Sequence, residues 1–461
     1  MHLLRVGDSR QHVGYMKSPW QRIGSNLGIF GVLALLCALF SLMTLREQPL
    51  SGESAVKQML KAIPSSEGGV LIAVGEQEED RSLAASLEKQ LPEVAGKVVG
   101  DPKAARGILE SLAAKKVKLK AILCSATSAS WLVLQDASTD FPALGQPVII
   151  APRTERWPTF LKGDNLVNVA NQIAVIAILA IGMTLVIITG GIDLSVGSLI
   201  ALSAVTTTLL IRDVFGGVDS SVMGMLLSAF GGVILCGLIG WATGLIITWL
   251  SVPAFIVTLA VMLAASGLAY RLAENQSIYQ VPESFVWLGR GADVLGIPNA
   301  VLLMLVLYAL AHGVMTQMRF GRHLYAVGGN YEAATLSGLP VRRVVMMAYV
   351  ISGLLAGLGG VVTASLLKSG SPTYGGMYEL YVIAAVVVGG TRLSGGKGTM
   401  GGTLAGAFII AVLQNGMNLT NVESNTQKIV LGLVILGAVI MDRVRVRLYP
   451  RSGFQPGPRK T

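Results

Sequence analysis

Few residues in this chain have the type and spacing that chemistry requires. Its three cysteines, Cys37, Cys124 and Cys236, lie far apart, and with only four histidines it holds no CxxC motif or Cys/His cluster. Metal sites and disulfide frameworks both need such clustering, so no metal ligand is expected. Gly395-Gly396-Lys397-Gly398 looks like a phosphate loop. That loop needs G-x-x-x-x-G-K-[ST], with backbone N–H groups cradling the phosphates. Here Thr391 stands where the first glycine belongs and Gly398 replaces the hydroxyl residue. No catalytic residue is expected, and any ATP hydrolysis must come from another chain. Asp193 is the one charge between Asp164 and Arg212. A carboxylate inside a membrane is costly and usually functional. It equally reads as the end of a polar turn, Gly190-Gly191-Ile192-Asp193, capping the helix that follows, or as an interface contact. Asn171, Gln172, Asn415 and Asn418 offer amides that could line a solute pathway. Amides within a helix bundle also serve as interhelical glue.

The elements that must position these groups are apolar. Of 461 residues, 52% are hydrophobic and 13% charged, against about 25% charged in soluble domains. A membrane-spanning helix needs about 20 apolar residues. Ten such segments are expected, at about 27–45, 166–189, 194–211, 222–250, 254–270, 299–317, 344–366, 379–391, 399–421 and 428–441. The eighth is short and ends in Gly389-Gly390, which suggests a broken or re-entrant span. The first reads as an uncleaved anchor, because its apolar run is longer than a signal h-region and no small-x-small cleavage site follows.

Basic residues set the expected orientation. With residues 1–26 inside, the inside segments carry sixteen Lys and Arg, including Arg319, Arg322, Arg342 and Arg343, and the basic tail 442–461 contributes six of them. The short outside loops carry four, Arg212, Arg271, Arg290 and Lys368. Both termini are therefore expected in the cytoplasm. The net charge of +10 reads as topology, not as nucleic-acid binding.

Residues 46–165 differ in kind. Charges return, and short β-rich runs (Val70–Val74, Lys97–Val99, Ala121–Leu123, Val148–Ile150) alternate with helical patterns at Asp80–Leu91 and Pro102–Lys115. This alternation predicts a small α/β domain with a mainly parallel sheet, extracytoplasmic by the orientation above. The expected fold is thus an all-α polytopic membrane protein with an α/β insertion. The core runs over 166–441.

Three ordered blocks carry a resemblance. The first runs from Asn171-Gln172 to Gly182-Met183-Thr184 and on through Gly190-Gly191-Ile192-Asp193-Leu194-Ser195-Val196-Gly197-Ser198. The second is Gly321-Arg322-His323-Leu324-Tyr325-Ala326-Val327-Gly328-Gly329-Asn330, followed by Glu332-Ala333-Ala334 and Leu336-Ser337-Gly338. The third spans Ala384–Thr391 and Ser394–Gly398. Together they resemble the ribose-type permease subunits of ATP-binding-cassette importers, over roughly 159–442 and the first span. The resemblance implies a bacterial inner-membrane permease for a ribose-like sugar. It implies three partners: a second permease copy, a cytoplasmic ATPase that carries ATP and Mg, and a periplasmic solute-binding protein. It also implies that loop 318–343 couples to the ATPase through Gly328, Gly329, Asn330, Glu332, Ala333, Ala334 and Gly338. Independently, Ala333 and Ala334 favour a short helix and Gly338 a stop. A branched-chain amino-acid permease is the nearest alternative. A secondary transporter would need a relay of intramembrane ionisable groups, of which the sequence has almost none. One internal echo sets Gly190-Gly191-x-x-Leu194-Ser195-x-Gly197 against Gly389-Gly390-x-x-Leu393-Ser394-x-Gly396.

Overall fold

The computed structural model describes residues 19–91, 93–294 and 296–448. It forms two compact units, one of Met1–Met43 with Phe160–Thr461 and one of Thr44–Thr159. Helix α1 (Pro19–Met43) belongs to the first. The expected N-terminal segment lies largely outside the described residues.

The second unit runs β1 (Leu45–Pro49), α2 (Gly52–Lys61), β2 (Gly69–Val74), α3 (Glu78–Gln90), β3 (Gly96–Val99), α4 (Pro102–Ala114), β4 (Leu119–Cys124), α5 (Leu132–Gln135), α6 (Ala137–Asp140), β5 (Val148–Ile150) and β6 (Thr154–Pro158). Four strands form a parallel sheet in the order β3-β2-β4-β5. Parallel strands are covered on both faces and read as continuous apolar runs. Val70–Val74 accordingly divides between two cores, Leu71 packing with Leu109 and Ile122, and Ile72 with Met59 and Leu87. Asp101 caps α4 by accepting from the Ala104 N–H at 2.8 Å, ahead of Pro102, whose missing N–H costs nothing there. Burial pushes the Cys124 thiol up to about 12, which leaves it unreactive near neutral pH. The periodicity gave no sign of α2. The antiparallel ribbon of β1 and β6, with Leu45 opposite Pro158, also went unseen, since Arg46-Glu47-Gln48 shows no apolar alternation.

The first unit continues with α7 (Gly163–Ile188), α8 (Val196–Asp213), α9 (Val222–Trp249), α10 (Ala254–Leu272), α11 (Trp287–Arg290), α12 (Asn299–Gln317), α13 (Arg319–Gly329), α14 (Tyr331–Leu336), α15 (Val341–Leu367), α16 (Tyr378–Val388), α17 (Met400–Leu419) and α18 (Ser424–Leu448). Among the described residues, α7, α8, α9, α10, α12, α15 and α17 are long and apolar enough to cross a membrane. Shorter apolar helices occur at Gly28–Met43, Tyr378–Val388 and Ser424–Ile440. The chain is therefore a multi-pass membrane protein. The expected tail from 442 begins inside α18, and its remainder from 449 lies outside the described residues.

In its most apolar stretch, α7 is 89% buried and α10 only 22%, so α7 is central and α10 peripheral. Helix α15 packs on α7, α8 and α9. Where α9 and α15 cross, a Cβ on Gly240 would strike the Tyr349 carbonyl and one on Gly353 the Cys236 carbonyl. The helices approach through small residues because lipid supplies no hydrophobic drive for association.

Candidate functional site

The three sequence blocks meet at one junction. Helix α7 ends with Gly190 at φ +87°. The Gly190 N–H donates to the Ile187 carbonyl at 2.9 Å, and the Gly191 N–H to the Val186 carbonyl at 3.1 Å. Helix α16 ends in the same turn. Gly390 has φ +86°, its N–H donates to Val387 at 2.9 Å, and the Thr391 N–H to Val386 at 3.1 Å. A left-handed residue here is a common helix stop. The echo thus aligns Gly190 with Gly390, not with Gly389 as the sequence suggested. Position within the cap, not glycine count, sets the register.

The loop after α16 folds back onto the end of α7. The Gly396 N–H donates to the Ile188 carbonyl at 2.9 Å. A Cβ on Gly395 would lie 2.9 Å from the Gly328 carbonyl oxygen and 3.0 Å from that of Ile188. On α13, a Cβ on Gly328 would collide with the Ile188 carbonyl and crowd the Gly396 nitrogen at 2.6 Å. Tyr325, one turn earlier, donates its hydroxyl to the Gly398 carbonyl at 2.7 Å. Three backbones therefore touch with no side chain between them. Gly329 has open space around it.

The segment expected to be a loop with one short helix holds two, α13 and α14. Asn330 separates them in an extended conformation (φ −160°), and its Oδ1 accepts from the Ala333 N–H at 2.9 Å. This is an N-cap. Ala334 faces inward, Glu332 and Ala333 are exposed, and Leu336 is 89% exposed. Gly338 takes φ +75° and donates to the Thr335 carbonyl at 3.0 Å, while the Leu339 N–H closes on Ala334 at 3.1 Å. The six-residue helix is thus capped at both ends.

Asp193 is buried, but its helix contact differs from expectation. The N-cap of α8 is Ser195. Asp193 Oδ1 accepts from the Ser195 N–H at 3.0 Å and hydroxyl at 2.6 Å, and Oδ2 accepts from the Ser352 hydroxyl of α15 at 2.7 Å. The carboxylate therefore ties the α7–α8 turn to α15 instead of capping α8 directly. Burial pushes its carboxyl above the ordinary range, and these three bonds pull it back. The Thr258 hydroxyl of α10 also donates to the Ile192 carbonyl, at 3.3 Å.

The amides separate. Asn415 and Asn165 exchange bonds of 3.0 and 2.9 Å between α17 and α7. Asn418 accepts from Gln427 at 2.8 Å. The Asn171 side-chain oxygen is buried without a partner, and Gln172 is exposed. Sequence reasoning missed Tyr325 and Ser352. Tyr325 sits within a quoted block three residues before Gly328, on the same helix face; nothing in the sequence marks Ser352.

Fold and junction define a multi-pass helical membrane protein of permease type. Residues 165–439 match the family described as branched-chain amino acid transport system / permease component, and the chain belongs to that family. It is similar to the ribose import permease protein RbsC of Escherichia coli (strain K12), 41% identical over 64% of this chain and 90% of that protein. It is equally similar to RbsC of Bacillus subtilis (strain 168), 41% identical over 66% and 92%. The D-allose transport system permease protein AlsC of Escherichia coli (strain K12) is 34% identical over 62% and 85%. No solved structure matches the chain.

Proposed function

We propose that this chain is the membrane-spanning permease subunit of an ATP-driven importer for a ribose-like sugar. The observation that carries this is the junction: α14 presents Glu332, Ala333 and Leu336 outward on a short capped helix, and α13 connects it through Gly328 to the ends of α7 and α16. A partner that grips α14 moves two central helices with it. Relatives named for ribose and allose favour sugar over the amino acid of the family description.

In this reading the chain crosses a bacterial inner membrane ten times, the three short apolar helices included, and both termini lie in the cytoplasm. A cytoplasmic cassette ATPase, which binds ATP and Mg, docks on α14. A second permease copy completes the pathway, and a periplasmic binding protein delivers the sugar. The α/β unit lies outside the segment that matches the family and, by the charge asymmetry, outside the cytoplasm. Reconstitution with a cassette ATPase and a binding protein tests the whole. ATP-dependent uptake of D-ribose is the expected result. Uptake of leucine alone, or uptake driven by an ion gradient without ATP, would refute it.

A further inference from the structure

Between α15 and α16 the chain does not form a helix. Ser369-Gly370-Ser371-Pro372-Thr373-Tyr374-Gly375-Gly376-Met377 runs back alongside α8. A Cβ on Gly370 would meet Thr208 and Ala204, and one on Gly375 would meet Gly197 and Ile200. At about 1.5 Å per helical residue, the segment travels about 11 Å along α8. Helix α16 then starts beside Gly197, the second residue of α8. Its 11 residues span only about 16 Å, roughly half the hydrocarbon thickness. Left-handed backbone brackets the segment, at Lys368 (φ +52°), Gly375 (φ +71°) and Met377 (φ +68°). Lys368 is the left-handed C-cap of α15, a common helix stop, and Met377 is a left-handed residue just ahead of α16. Irregular backbone at membrane depth is tolerated only where protein buries it or where it lines a cavity.

A half-open cleft is present there. It measures about 200 Å³ and is lined by Ser198 of α8, Ser266 and Tyr270 of α10, Thr373 and Tyr374 of the segment, and Glu379 of α16. The Tyr374 hydroxyl is held by Ser369, and the Thr373 hydroxyl meets Ser371 at 3.0 Å. Ser198, Ser266 and Tyr270 make no side-chain hydrogen bond among the described residues, and the Glu379 carboxylate bonds only its own backbone N–H. Four polar groups, three half-buried and Tyr270 exposed, thus line this space with hydrogen-bonding capacity unspent. An intramembrane carboxylate is costly and is usually retained for function.

We infer that this cleft is a binding site for the transported solute, and that its ligand is a neutral polyhydroxylated molecule of monosaccharide size. Glu379 accepts hydrogen bonds from two ligand hydroxyls, Ser198 and Ser266 exchange bonds with others, and the rings of Tyr270 and Tyr374 cover the apolar face. The volume falls below the ~300–1,000 Å³ of drug-sized sites, which suits a single sugar ring. No cation stands among the lining residues to balance an anionic ligand. This inference rests on the importer reading above.

The test uses the complete transporter, with its ATPase and binding protein, in proteoliposomes. Import of D-ribose by the unaltered chain is measured first; its absence would count against the importer reading, whatever the cleft does. In a transporter that imports ribose, Ser266→Cys and Thr373→Cys are labelled with a small thiosulfonate. Ribose is expected to slow labelling at both positions severalfold. It should leave unchanged the labelling of Leu263→Cys, which is 65% exposed on the same helix and outside the cleft. Glu379→Gln is expected to lower uptake about tenfold at saturating binding protein, as a charge-assisted hydrogen bond becomes a neutral one. Glu379→Asp should recover part of the loss. Equal labelling with and without ribose at both cysteines would overturn the assignment, as would undiminished uptake by Glu379→Gln. If Glu379→Gln fails to assemble, the protection measurement still decides.

Discussion

The junction at Gly328 and the segment at 369–377 are both non-helical chain packed on helices, yet they are built oppositely. At the junction, glycines bring three backbones into contact and the N–H of Gly396 has a carbonyl partner. The backbones lie too close for a Cβ to stand between them. At 369–377 the backbone is irregular and borders a cleft in which Ser198, Ser266 and Tyr270 make no side-chain hydrogen bond among the described residues. Open space with unspent hydrogen bonds is what a site that takes up and releases a solute needs. Under the function proposed above, the first would serve as a transmitter and the second as a receiver, joined by the short helix α16.

The sharpest way to break this contrast is to put a side chain into the junction. Gly328→Val should abolish uptake, because its Cβ would occupy the Ile188 carbonyl. Overpacking of this kind costs about 1–3 kcal/mol or more, and the yield of monodisperse permease should fall with it. Normal uptake and yield would show that the junction has room for a side chain after all. Gly329→Ala, in open space, is the matched control and should behave as the unaltered chain.

A second test separates transmission from folding. Gly338→Pro and Glu332→Lys should each lower uptake by an order of magnitude or more while the permease remains folded in the membrane. The first removes the N–H bond to Thr335 and cannot adopt φ +75°; the second reverses a charge on the exposed face of α14. Uptake at full rate by both, with normal ATPase assembly, would detach α14 from coupling.

Asp193 sharpens the comparison at intermediate size. Asp193→Ala leaves the Ser352 hydroxyl and the Ser195 N–H without their acceptor, at about 1–3 kcal/mol for each group left unpaired. Asp193→Asn keeps an acceptor oxygen and should cost less. Burial raises this carboxyl, so the linked stability is full below the unfolded-state value and is lost as pH rises through the folded-state value. Asp193→Asn should flatten that dependence in thermal unfolding measured across pH. An unchanged pH profile would contradict it.

The smallest effect is expected at the amide clasp. Asn415→Ala should cost about 0.6 kcal/mol, typical of interhelical bonds in membranes, and leave ribose uptake unaltered. A large loss of uptake without loss of stability would move Asn415 from the framework into the pathway.

The spans were legible because uncharged apolar runs of membrane length seldom occur outside a bilayer: helices expected at 222–250 and 299–317 occur at Val222–Trp249 and Asn299–Gln317. The four parallel strands were legible for a related reason, since each is a β-rich run flanked by a helical pattern. Gly338 was readable as a stop because chain geometry at a helix end is local. The ribbon of β1 and β6 was not, because its pairing joins residues more than a hundred positions apart.

The sequence by itself determined which segments can enter a membrane, the asymmetry of charge around them, the α/β character of Thr44–Thr159 and the three motif blocks of the family. These follow from composition and near-neighbour spacing, which the chain carries wherever it folds. Only the tertiary structure decided that Gly190, Gly328 and Gly395 meet at one point, that Asp193 bonds Ser352 rather than capping α8, and that α16 begins beside Gly197. Each of those depends on which helices lie side by side. That choice is made by close packing over the whole bundle, where one Cβ too many excludes an approach that no local pattern could announce.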